Sequence, residues 1–437
     1  MAPERSLEEI IREQEFAQPL EAQARTFFKL CNRLAAQPNG VWTAPQFYQL
    51  AWQSQLLETF LDDHGAKFNR AYSLFRELIA SVRWHANAAF SVAHLEGRFD
   101  SYGLRSAFSR DEVDAGARSL ATVRRGCQAS IEAIVQQLRV ETAQLKIAWP
   151  SDPLPDEHIT GAGVRIRLPR NMGQQEVTDE NQRIAEVASK FIAAAQMLGD
   201  LGIRRVNHAD ERRKRLAAIC TEAQARVYEA TVHNLQSTFD TYVKNTLAES
   251  RDDRLPRLRG HVSGALHLLE AVTHLTHFVE RHERNGRREP ADHRIAELVD
   301  RSVVQDHILN HLLHWANEFM QRGRALAEEV LPAYINMQEL DIELADDVKL
   351  HARPAALIVN IVGRYGTPVE LEVNGHRCNA GSILDLLVAI GSNPEARHFK
   401  FRGDISPLRD IARLFEVGLG EGGIEQLPVE LQYLRGG

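Results

Sequence analysis

Apolar residues recur at three- and four-residue steps through most of the chain, with charged residues between them. "LETFLDDHGAKFNRAYSLFRELIASV" and "ARSLATVRRGCQASIEAIVQQLRVETAQL" both carry this pattern, the mark of amphipathic helices. The stretches outrun an average globular helix and predict a bundle of long antiparallel helices. "AWPSDPLPDEHITGAGVRIRLPRNMGQQ" interrupts them with four prolines and several glycines. It predicts a long loop at 149–178, with a short extended piece at "GVRIRL". The bundle thus divides into a first half at 1–148 and a second half at 179–335, where Pro332 is expected to end the helices.

Beyond Pro332 the period changes. "NMQELDIELAD" alternates, and in "PVELEVNGHRCNA" Val369, Leu371 and Val373 share one side while Glu370 and Glu372 take the other, as strands do. Asn374-Gly375 marks a tight hairpin turn. A small α+β domain at 337–437 follows, with the order strand, helix, strand, turn, strand, helix, strand, helix. Its first helix opens near Pro354 and carries an apolar stripe of Ala355, Ile358, Val359 and Val362. The second opens at Ser382, with Asp385 at the capping-box position and Ile383, Leu386, Leu387 and Ile390 following. "HFKF" is the last strand. Ser406-Pro407 should open the last helix and Gly418 close it.

The 437 residues are too many for one ordinary domain. A net charge of −7 argues against general nucleic-acid binding. Cys31, Cys127, Cys220 and Cys378 lie far apart, which suits a reducing compartment and excludes a zinc ribbon. The acidic start lacks a secretory pattern, and no apolar run approaches the roughly 20 residues of a membrane span. A cytoplasmic protein with no membrane or nucleic-acid partner is expected.

Candidate chemistry gathers at "DDVKLHARPAALIVN". His351 falls at a helix start, where unbonded amides and the helix dipole favour anions. Arg353 adds a permanently charged fork suited to phosphate oxygens, and imidazole is nucleophilic near neutral pH. These are the parts of a transient phosphohistidine.

The segment resembles HPr, the histidine-containing phosphocarrier of the bacterial phosphoenolpyruvate-dependent sugar phosphotransferase system. The active-site motif is matched by Leu350, His351, Ala352, Arg353, Pro354 and Ala355, and the second motif by Asn379, Ala380, Gly381, Ser382, Ile383 and Leu384, at the family's interval. The resemblance is confined to the C-terminal domain. It implies an open-faced sandwich of a four-stranded antiparallel sheet and three helices. It implies His351 as phosphoacceptor, Enzyme I as donor, and Arg353 as the residue that steadies the phosphoryl group. Ser382 would match the serine phosphorylated by HPr kinase in some bacteria, and Ile383, Leu384 and Leu387 the apolar docking patch. Val348, Lys349, Asp385, Asn360 and Gly363 depart from the family pattern, while Arg364 keeps a basic residue of the first helix. These departures bear on docking to a standard Enzyme I, a contact that is partly electrostatic.

The second helical half is rich in histidine: His261, His267, His274, His277, His282, His293, His307, His311 and His314. On α-helical spacing His307, His311 and His314 share one face with Glu318, and His267 pairs with Glu270. The Glu-x-x-His order of di-iron bundles is reversed here. Packed or polar-face histidines are therefore expected, with no metal and no cofactor. Trp42, Trp52, Trp84 and Trp315 read as core. "RRVNHADERRKR" and "RDDRLPRLRGH" read as solvated helix ends, with an acidic partner as the alternative. No phosphate-binding glycine loop, nucleophile elbow or zincin motif supports an independent enzyme.

The expected function is a phosphocarrier or regulator. It would take a phosphoryl group on His351 and pass or signal it through the helical region to sugar-specific or regulatory acceptors. The alternative is a scaffold that uses an HPr-like surface and a helical module for assembly, including homo-oligomers.

Overall fold

A computed structural model describes residues 11–37, 40–155, 180–283, 290–344 and 348–436. The expected strand at "GVRIRL" lies outside them. The helices are α1 (Glu13–Ala35), α2 (Ala44–Asp63), α3 (Ser73–Arg98), α4 (Arg110–Gln144), α5 (Glu180–Asp200), α6 (Ala209–Ile219), α7 (Glu222–Tyr242), α8 (Leu247–Arg251), α9 (Arg254–Glu283), α10 (Pro290–Leu298), α11 (Arg301–Asp306) and α12 (His314–Tyr334). Four strands and three more helices follow in the C-terminal domain.

Of the described residues, those within Met1–Asn171, Leu201–Val232 and Ser263–Phe319 form one compact unit. Those within Met172–Asp200, His233–Val262 and Met320–Gly437 form the other. The divisions fall inside α7, α9 and α12, so the units cut across the contiguous halves that the proline-rich loop suggests.

In the first unit, α1 to α4 bury the apolar stripes that their periodicity predicts, with Phe27, Phe28, Phe47 and Phe75 enclosed. A buried charge cluster accompanies them. Arg76 bonds Glu58 at 2.8 Å and Asp62 at 2.6 Å, and Glu58 also accepts from Arg83 at 2.5 Å.

Several local expectations are corrected. The stretch 57–82 is two helices, because Gly65 adopts a left-handed φ of +71° between α2 and α3. Trp42 and Trp315 are core, but Trp52 is 50 % exposed and Trp84 is only half-buried. His307–Leu313 winds as a π-helix between α11 and α12. A π-turn takes an extra residue, so His307, His311 and His314 do not follow the α-helical spacing. Pro332 lies inside the last turn of α12, which runs on to Tyr334.

The C-terminal domain holds β1 (Met337–Glu343), α13 (Ala352–Tyr365), β2 (Val369–Val373), β3 (His376–Asn379), α14 (Ile383–Ser392), β4 (His398–Asp404) and α15 (Ile405–Glu416). All strand pairs are antiparallel, in the order β1-β4-β2-β3. Asn374 and Gly375 take φ of +49° and +79°, which suits the tight turn joining β2 to β3. Val369, Leu371, Val373, Phe399 and Phe401 point inward to Ile358, Ile361, Leu386 and Ile411 of the three helices. The outer face is charged. Lys400 bonds Glu339 at 2.8 Å and Arg377 bonds Glu372 at 2.9 Å. The fold is therefore the expected open-faced sandwich of four strands and three helices.

Two details differ. The N-cap of α15 is Asp404, with Ser406 and Pro407 already inside the first turn. From Gly418 the chain continues in short 3-10 turns, Gly418–Gly420, Ile424–Gln426 and Val429–Gly436, which no periodic pattern in the sequence marks. Leu419, Leu427, Leu431 and Leu434 of this tail are buried in the domain core. Buried Asp410 accepts from Tyr365 at 2.7 Å and Tyr433 at 2.8 Å, fixing the tail to α13 and α15.

Helix α5 belongs to the same compact unit. Gln182 Nε2 donates to the Tyr365 carbonyl at 2.9 Å, at the end of α13. There Gly366 turns the chain at φ +65°, and an added Cβ would stand 2.7 Å from Glu186 Cγ.

Candidate functional site

His351 is the N-cap of α13, with extended backbone. Helix formation follows because Pro354 falls in the first turn, where its missing N–H is no loss, and because Leu350, Ala355 and Ile358 bury themselves in the core. This leaves the imidazole at the surface, its side chain half-exposed.

Both ring nitrogens are engaged. Nδ1 faces the helix and lies 3.4 Å from the Arg353 backbone N–H, which donates to it. Nε2 lies 2.6 Å from Oε1 of Glu421, on the C-terminal tail. The amides of Ala352 and Arg353 stand at the positive end of the helix dipole. Arg353 itself is exposed and, among the described residues, makes no ion pair. The arrangement can hold a small anion beside Nδ1. Glu421 was missed by sequence reasoning, since its separation of 70 residues from His351 leaves no local pattern.

Ser382 is the N-cap of α14, and its Oγ accepts from the Asp385 amide at 3.3 Å. Cap and acidic residue thus stand where the sequence placed them. Ile383, Leu384 and Leu387 are exposed by 36 %, 71 % and 37 %. Val388, 60 % exposed, extends the patch; it lies four residues after Leu384, a spacing that could have revealed it. Leu386 and Ala389 form the buried side of α14, which packs on α13. Val348 is partly buried against the core, and Lys349 approaches Glu395 at 3.8 Å.

The histidine-rich helices have separate partners. His267 bonds Glu270 at 3.1 Å, His277 faces Glu222 at 2.8 Å, and His311 meets Ser119 at 2.5 Å and Asp306 at 3.3 Å. Among the described residues no three His, Cys, Asp or Glu side chains converge as a metal site. Burial pushes His274, His307 and His314 down to about 4. The basic run at 204–215 is largely used locally. Buried Arg212 donates to Asp306 and to Ser302, Arg215 to the Leu201 and Gly202 carbonyls, and Arg204 and Arg213 to Glu211 and Asp210. In the second run, Arg254 pairs with Asp252 and Arg259 with Asp240. The four cysteines are free thiols. No described helix is long and apolar enough to cross a membrane.

Sheet order, helices on one face and a half-exposed histidine capping the first helix define the C-terminal domain as an open-faced α/β sandwich of the phosphocarrier type. The family model described as "PTS HPr component phosphorylation site" matches residues 338–392. The C-terminal domain is an HPr domain of the phosphotransferase-system family, and the match is confined to it. No solved structure matches the chain.

Proposed function

We propose that the protein is a phosphocarrier whose HPr domain takes a phosphoryl group onto Nδ1 of His351 from an Enzyme I-like phosphohistidine donor. The observation that carries this reading is the placement of Nδ1 over the Arg353 amide at the start of α13. The Nδ1 lone pair forms the new N–P bond as the donor's N–P bond breaks, and the leaving electron pair returns to the donor's imidazole. The amides of Ala352 and Arg353, the helix dipole and the Arg353 guanidinium then hold the phosphoryl oxygens.

The apolar patch of Ile383, Leu384, Leu387 and Val388 lies on the helix packed beside α13 and suits a docking partner. Its exposed non-polar side chains, next to a reactive group that must meet several proteins in turn, fit transient association. In this reading Ser382 is the regulatory position. A phosphate there would add a charge of about −1.5 to −2 at the start of α14, directly beside the patch. The helical region would relay the phosphorylation state to an acceptor.

Incubation with phosphoenolpyruvate and a cognate Enzyme I should label the protein with acid-labile, base-stable phosphate. His351→Ala should abolish the label, and Arg353→Ala should slow transfer without a change in melting temperature. Persistent labelling of the His351→Ala protein would refute the assignment.

A further inference from the structure

Resting on the phosphocarrier reading, we infer that Glu421 is a positioning residue for phosphoryl transfer, delivered to His351 by the C-terminal tail. Its carboxylate stands 2.6 Å from Nε2 of the ring. A carboxylate only accepts at ordinary pH, so the proton must sit on Nε2. Nδ1 is left unprotonated, its lone pair turned to the helix amides. This short contact and the weaker donation from the Arg353 amide to Nδ1 agree on the tautomer in which the nitrogen nearest the anion-binding amides is the nucleophile.

The tail is built to hold this contact. Gly418, Leu419 and Gly420 all have left-handed φ, of +68°, +57° and +73°, and turn the chain back toward α13. Leu419 is fully buried, and Gly420 approaches Leu357, whose Cδ1 would lie 3.1 Å from an added Cβ. Downstream, Leu431 and the Tyr433–Asp410 bond anchor the segment. Glu421 therefore projects from a fixed support.

During transfer the ring gains positive charge as the Nδ1–P bond forms and the donor's N–P bond breaks. Nε2 keeps its proton throughout, and Glu421 faces the charge from the side away from the phosphoryl group. Its effect is then twofold: it presets the nucleophilic nitrogen and stabilises the phosphorylated ring.

The test uses the full chain labelled with nitrogen-15 in histidine, with His351→Ala to assign the resonance. Long-range proton–nitrogen spectra should show the Nε2–H tautomer in the wild type and a tautomer mixture in Glu421→Ala. Potassium phosphoramidate, a small donor that needs no docking surface, should label Glu421→Ala at least about tenfold more slowly, with the melting temperature unchanged. Glu421→Gln, which keeps an acceptor but loses the charge, should hold the tautomer and still slow labelling. An unchanged tautomer and labelling rate in Glu421→Ala overturns the role of Glu421 and leaves the phosphocarrier reading standing. A wild type that takes no label from any donor overturns that reading instead, and the tautomer spectra, recorded without donor, tell the two failures apart.

Discussion

At the scale of single residues, two helix starts in the HPr domain are capped in different ways. Ser382 does the ordinary work of a cap, its hydroxyl oxygen receiving the Asp385 amide. Ser382→Ala should cost about 1 kcal/mol, while Ser382→Asp, which keeps an acceptor and adds charge at the positive end of α14, should melt close to the wild type. A thermal melt in which the alanine variant is as stable as the wild type would show that the cap bond contributes nothing. His351 caps with Nδ1, so its capping lone pair is also the one a phosphoryl group would use. Phosphoryl oxygens can then accept from the amide in its place. Both positions were legible in the sequence because a cap, a proline in the first turn and an apolar stripe are all local signals. Glu421 was not, because what places it is burial of Leu419, Leu427, Leu431 and Leu434, four leucines spaced without helical or strand period.

At the scale of elements, periodicity located the strands and most helices, and failed where two windings bury the same residues. Ile308, Leu309, Leu312 and Leu313 are all buried in the π-turn, and their spacing fits an α-helix equally well. What the sequence could not show is the partner. His307 lies against α4 at Gly126, where an added Cβ would stand 2.1 Å from the imidazole Cε1. Within a helix, glycine to alanine ordinarily stabilises by up to about 1 kcal/mol. Here overpacking should win, and Gly126→Ala should destabilise by about 1–3 kcal/mol. Denaturant unfolding decides the sign, and a gain in stability would mean that the π-turn yields without cost. Asp404 takes the N-cap position of α15 in place of Ser406 for a related reason: its carboxylate makes no capping bond but accepts from the Asn336 amide at 2.9 Å, a contact across 68 residues.

At the scale of the whole molecule, the proline-rich loop suggested a division into consecutive halves. By contacts, each of the two compact units is built from three separate stretches of the chain. The unit that contains α1 to α4 also holds His274, His307 and His314, with folded values near 4. His274 faces Glu270, Arg83, Arg226 and His277; His307 faces His311, Asp306, His85 and Arg212; His314 faces Arg205 and His311. Between pH ~6.5 and 4 the unfolded chain binds protons that the folded chain refuses. Stability is therefore full above that window and is lost as pH falls through it, by up to about 1.4 kcal/mol per histidine per pH unit. All five tryptophans belong to this unit, so tryptophan fluorescence reports its unfolding. Its melting temperature should drop steadily between pH 6.5 and 4.5, and a constant value there would contradict neutral burial of these rings.

The partnership of α5 with the HPr domain bears on how the protein folds as it is made. A ribosome releases α5 long before it releases β1, α13 and the tail that carries Glu421. Phe191, fully enclosed in the finished molecule and pressed against Gly323 of α12, must wait for partners still being translated. During synthesis domains tend to fold as units from the N-terminal end. Here the earliest helix of the unit contacts residues synthesised much later, Gly323 through Phe191 and Tyr365 through Gln182. The contact between Glu421 and His351 likewise forms only after α13 and the tail have both left the ribosome.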